Sequence, residues 1–173
     1  MKKLKIEIKY NWIAELNRIR QILLAMQDKM NSLKFYDVAK AAVNESLVKD
    51  DPQTPWDDRE VGCVRAVKIL YERCFNKKLC QSDHTADLYR FLSASPDFVK
   101  IEQPEKGCII LNPTGTGNGS MRGHVGIWSK EGVMSNDSRK GLKGVWRLNY
   151  SHEYWYKWFE KAGGIPTYYF RVV

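Results

Sequence analysis

Gly123-His124-Val125-Gly126-Ile127-Trp128, then Ser129-Lys130-Glu131-Gly132, then Val133-Met134-Ser135-Asn136-Asp137: two short runs around a polar, glycine-containing turn. Valine, isoleucine and tryptophan in such runs favour strands, and the turn joins them as a β-hairpin. The register decides what His124 faces. If the turn holds three residues, Ser129 pairs with Val133, and Asn136 lies on the face of His124, one pleat from directly opposite. If it holds two, Asp137 faces His124 instead. Both registers stay open on sequence alone.

Upstream of the hairpin, Cys108-Ile109-Ile110-Leu111 reads as a buried strand, followed by the glycine-rich loop Gly115 to Gly119. That loop is no phosphate cradle. It lacks a following Gly-Lys-Ser/Thr and leads into a strand, not a helix. It reads instead as a rim of a cleft. Downstream, Ser151 caps a short aromatic helix with Trp155, Trp158 and Phe159, Gly163-Gly164 stops it, and residues 167–173 form a last strand.

The first half is helical in pattern. Ile13, Leu16, Ile19, Leu23, Met26, Met30 and Leu33 recur at steps of three and four, an amphipathic helix from about Trp12 to Leu33. Before it, Leu4, Ile6 and Ile8 alternate with charged residues and predict a short strand. Further helices are expected at 35–47, from Cys63 to Cys74, and from Asp83 to Ser95. Asp50-Asp51-Pro52 marks a loop between the first two of these. Helices first and strands later predict an α+β fold with an antiparallel sheet.

Twenty-eight Lys and Arg against twenty Asp and Glu give a net charge of +8, which suits polyanions such as an anionic cell wall. No helix carries a dense basic face beside stacking aromatics, so no nucleic-acid partner is expected. No apolar run approaches the ~20 residues of a membrane span, and no cleavable leader is visible. Four dispersed cysteines do not make a disulfide framework. Cys74, Cys80 and His84 lack metal-site spacing, and no metal or other cofactor is expected.

Cys63 follows Gly62 at a predicted helix start. There the positive end of the helix dipole favours the thiolate, and backbone N–H groups can hold an oxyanion. Of the three histidines, His84 and His152 sit beside helix caps. His124 opens a strand after a glycine-rich loop, where a rigid sheet can project it over a cleft. A Cys–His pair with a third group on the far ring nitrogen is the constellation for nucleophilic acyl chemistry.

The order of these pieces resembles the CHAP family of cysteine, histidine-dependent amidohydrolases/peptidases and its NlpC-type relatives. The stretches 61–67, 123–127, 134–138 and 164–172 resemble phage-encoded cell-wall hydrolases of this type, over about residues 35–173. The resemblance implies a papain-like α+β core, with N-terminal helices packed on an antiparallel β-sheet. It implies hydrolysis of peptidoglycan amide bonds by Cys63 and His124, with Asn136 orienting the histidine and Asp137 as the alternative third residue. Some family members carry Glu at that position, and this chain has none there. Trp56, Gly119 and Trp128 are expected to line the substrate cleft. Residues 1–34 fall outside the resemblance and form an appended helix. Its lysine-rich flanks suit a membrane surface or association with a copy of itself through residues 12–33. Synthesis in a host bacterial cytoplasm is expected, with action at the wall or carriage in a virion. The same residues would also permit acyl transfer, and the same fold with an inactive site would serve as a wall-binding module.

Overall fold

The computed structural model describes residues 2–48, 62–116, 122–139, 142 and 144–173, and of residues 2–11 the backbone alone. Among these, the elements in order are α1 (Lys2–Ala41), α2 (Cys63–Phe75), α3 (Thr85–Ala94), β1 (Phe98–Ile101), β2 (Ile109–Asn112), β3 (His124–Trp128), β4 (Val133–Asn136), β5 (Trp146–Tyr150), α4 (His152–Tyr156), a π-helical turn (Lys157–Ala162) and β6 (Tyr168–Val172). The strands form one antiparallel sheet in the order β1-β6-β2-β3-β4-β5. The α+β class and the packing of helices on an antiparallel sheet are as the sequence predicts.

Alternation along the strands sends side chains to two different cores. One face carries Ile109, Leu111, Val125, Ile127, Met134 and Phe170, which bury against α1, α2 and α3 through Phe35, Val64, Val67, Leu70 and Leu88. The other face carries Cys108, Ile110, Val133 and Tyr169 and is closed by Trp155 and Phe159 of the C-terminal helical segment. The central strands are covered on both sides, so they read as continuous apolar runs instead of alternating ones.

Two expectations fail at the N-terminus. The segment predicted as a strand is helical, and α1 continues without a break through residue 34 to Ala41. Period-two alternation over a few residues is a weak signal beside a long helix that propagates through it. The boundary expected between residues 34 and 35 therefore falls inside a helix. Burial starts abruptly nearby: Ser32 and Phe35 are inside, whereas Trp12 to Met30 face solvent. Ser32 accepts from the Val172 N–H, tying α1 to the last strand.

Strands β1 and β5 carry no clear sequence signal. β1 has the burial pattern of a sheet edge, and β5 is interrupted by a bulge. Opposite it, Val133 pairs with Tyr150 but Met134 pairs with Leu148, leaving Asn149 as the extra residue. A bulge of this kind turns two successive side chains to one face.

Phe35 is wholly buried and rings against Tyr71 and Phe75. We expect Phe35→Ala to cost about 3–5 kcal/mol in denaturant unfolding, the usual toll of a vacated aromatic core site. Leu16→Ala, on the exposed arm of the same helix, should leave the transition of the sheet domain unchanged.

Candidate active site

The site is built where α2 begins and β3 begins. Gly62 precedes the helix, and a Cβ there would meet Val48 Cγ1 at 2.7 Å, so only glycine lets the chain enter α2 along this path. Cys63 is thereby buried at the first helical position, against the sheet. The backbone N–H groups of Val125 and of the first residues of α2 lie on the side of the sulfur and favour its thiolate. The Val125 N–H belongs to the peptide that joins it to His124, so the sequence-distant cysteine sits beside the start of β3.

The start of β3 is fixed by a small polar cluster. Gly123 donates its N–H to Thr114 Oγ1 at 2.8 Å, and Thr114 in turn shares hydrogen bonds with Thr85. A Cβ on Gly123 would fall 2.0 Å from the Asn112 carbonyl oxygen. The glycine is thus required for β3 to lie beside β2 in its register, Asn112 opposite His124.

The His124 ring lies on the sheet face away from α2, in an aromatic cage. Phe159 stacks on it at 5.6 Å and 8°, and Trp155 and Tyr150 approach at 5.5 and 5.4 Å. Its Nε2 is 3.0 Å from Ser135 Oγ, and Ser135 donates its own proton to Asn149 Oδ1 at 2.7 Å. Since the hydroxyl proton is committed to Asn149, Ser135 accepts at the imidazole. Nε2 then carries the proton of the neutral ring, and Nδ1 keeps the lone pair. The bulge in β5 serves this arrangement: Asn149 reaches Ser135 while the next residue, Tyr150, packs on the ring.

The turn of the hairpin holds two residues, Lys130 and Glu131, inside a Ser129–Gly132 pair. Ser129 N–H donates to the Gly132 carbonyl, and Gly126 pairs with Ser135. This corrects the expected third residue. Asn136 pairs with Trp146 and belongs to the α2 face, so it does not reach the His124 ring; its buried Oδ1 has no partner among the described residues. Asp137 comes opposite His124 by register, but Arg139 holds its carboxylate through both Nε and a terminal nitrogen. Burial alone would raise the Asp137 carboxyl; the hydrogen bonds and charge of Arg139 outweigh that and hold it below the usual range. The polar partner on the ring is Ser135, one pleat along, which sequence reasoning passed over. Fixing the two-residue turn would have pointed to it; the bulge that delivers Asn149 leaves no sequence trace.

Trp56 and Gly119 lie outside the described residues. Trp128 is four residues along β3 from His124, and His152 stacks on its ring at 3.7 Å, so it does not line the site. The His152 Nε2 hydrogen-bonds the Ser129 carbonyl, and His84 is exposed at the start of α3. All four cysteines are free thiols. Among the described residues no group of three or more His, Cys, Asp and Glu is placed to share a metal ion.

Electrostatics also correct an expectation. The helix start was expected to lower the Cys63 pKa, yet burial pushes the thiol up to about 11, against the downward pull of the three N–H groups. Burial likewise pushes His124 down to about 4, with Asp137 pulling the other way. The resting pair is therefore a neutral thiol and a neutral imidazole.

No family model matches the chain, and no curated protein matches it. Among solved structures it is similar to a chain of the type VI native effector–immunity complex Tae3–Tai3 from Ralstonia pickettii. The identity is 16% and the TM-score 0.49, over 82% of this chain and 98% of that one.

Two outcomes are expected. Acting as the base of a Cys–His pair, an imidazole that protonates near 4 would stay competent through the whole neutral range, so the expected outcome is turnover per KM that falls only as pH drops through about 4, not through the ordinary histidine range. Ser135→Ala should lower turnover by roughly tenfold to a thousandfold. It should also abolish the fixed tautomer, read as loss of distinct protonated-Nε2 and bare-Nδ1 nitrogen signals of His124 by NMR.

Proposed function

We propose that the chain is a cysteine amidase or endopeptidase that hydrolyses amide bonds of bacterial peptidoglycan, with Cys63 as nucleophile and His124 as general base. The observation that carries this reading is the seating of a helix-start cysteine on the first peptide of the strand whose histidine has its Nε2 proton fixed by Ser135. Such a histidine offers Nδ1 as the base. Cys63 and the His124 ring lie on opposite sides of the first peptide of β3, so in this reading the Cys63 proton reaches Nδ1 around the open start of that strand, on the side of Tyr150, as the sulfur attacks the amide carbonyl and gives a tetrahedral adduct. The imidazolium returns that proton to the departing amine, leaving a thioester, which water cleaves with His124 again taking up a proton. Negative charge grows on the substrate carbonyl oxygen during attack, and the backbone N–H groups at the start of α2 are the donors available to it in this reading. A neutral resting pair means that charge develops only as substrate arrives.

Further support comes from an aromatic run leading away from His124. Tyr150 touches its ring, Tyr154 stacks on Tyr150 at 5.8 Å and 26°, and Trp158 stacks on Tyr154 at 6.3 Å and 16°. Tyr154 and Trp158 are about half exposed. Flat, exposed rings beside a site suit the apolar faces of sugar rings next to the scissile peptide. The net charge of +8 suits an anionic wall.

Digestion of purified peptidoglycan, with the new termini identified by mass spectrometry, tests the reading. New amine and carboxylate ends should appear. Cys63→Ala should abolish them, whereas Ala at Cys74, Cys80 or Cys108 should leave most activity. Amide exchange onto an added amine without net hydrolysis would assign the acyl-transfer chemistry instead, and undiminished cleavage by Cys63→Ala would remove the mechanism.

A further inference from the structure

The arm of α1 is a rod of exposed apolar side chains. The full helix has 40 residues, a length of about 60 Å. From Trp12 to Met30 it touches no core, and the side chains of Trp12, Leu16, Ile19, Leu23, Met26 and Met30 are between 45% and 66% exposed. These six residues are spaced 4, 3, 4, 3 and 4 apart, the a/d seam of a left-handed coiled coil over nearly three heptads. In that register Leu16, Leu23 and Met30 are a positions; Trp12, Ile19 and Met26 are d positions.

We propose that this arm pairs antiparallel with the same segment of a second copy of the chain. The flanking residues argue for a self-partner in that orientation. Layers then join Trp12 to Met30, Leu16 to Met26 and Ile19 to Leu23 of the other helix, and the reverse. On one flank the g positions meet: Glu15 faces Lys29 at both ends, and Ile22 faces Ile22 at the centre. This accounts for Ile22, a further exposed apolar residue beside the seam. The cost is one Arg20–Arg20 approach on the other flank, where both long side chains can reach solvent. Parallel pairing would offset two Glu15–Arg20 attractions with two Lys29–Lys34 repulsions, would separate the Ile22 side chains and set each against Gln27, and would force two sheet domains to the same end of the rod. A membrane-surface helix needs a cationic polar face. Here that face mixes Glu15, Asn17, Gln21 and Asp28 with Arg18, which is already paired with Glu15 at 3.4 Å.

Sedimentation equilibrium on the full chain tests the pairing. The expected mass is twice 20.1 kDa at micromolar concentration. Ile19→Glu with Leu23→Glu should give a monomer whose sheet domain melts as before. Glu15→Lys alone and Lys29→Glu alone should each weaken association at least tenfold, and the two together should restore it, because antiparallel pairing sets the exchanged charges against each other. A monomeric full chain would overturn the proposal. So would a dimer that survives the double glutamate variant, a failure of the charge exchange to restore association, or a monomer that co-sediments with anionic phospholipid vesicles through the same residues. None of these readouts depends on hydrolytic activity.

Discussion

The first turn of α2 packs against the start of β3 with Cys63 buried between them, and the remaining architecture can be understood as holding that meeting in place. On the helix side, Gly62 must pass under Val48. On the strand side, Gly123 must lie against the Asn112 carbonyl while Thr114 and Thr85 tie its N–H. A methyl group at either glycine would push helix and strand apart. The apolar face of α2, with Val64, Val67 and Leu70 buried against the sheet, then makes the contact rigid.

The second layer immobilises the imidazole from the opposite face. The Trp155–Phe159 side of the sheet supplies dispersion contacts on the ring, and Ser135 with Asn149 supplies directionality. Together they fix both the plane and the tautomer, which is the role an orienting residue plays in nucleophilic triads. Here it is performed by a neutral hydroxyl backed by an amide, and the nearest carboxylate, Asp137, is engaged by Arg139. Such a site stabilises an imidazolium less than a carboxylate partner would, in keeping with the depressed basicity of His124.

Much of this was legible in the sequence. Strong hydrophobic periodicity marked α2 and α3, the Ser151 cap marked α4, and the Gly-His-Val-Gly-Ile run marked β3. What escaped depended on tertiary context. The continuity of α1 through residue 34 reflects propagation of an existing helix past a locally ambiguous stretch. The edge strand β1 has little of its own to bury on its outer face. The choice of Ser135 over Asn136 turned on one residue of hairpin register, which a polar turn does not specify. Asn149 and Tyr150 owe their shared face to a bulge, and the elevation of the Cys63 thiol to burial that overrides the helix dipole.

As the proposed nucleophile, Cys63 should form an acyl bond with a peptidoglycan fragment. Acid-quenching the protein a short time after mixing with a soluble muropeptide, followed by peptide mapping, measures this directly. A thioester adduct is predicted on the peptide that contains Cys63, of mass equal to the acyl half of the substrate and absent in Cys63→Ala. Product formation with no adduct on that peptide, or an adduct on another cysteine, would contradict it.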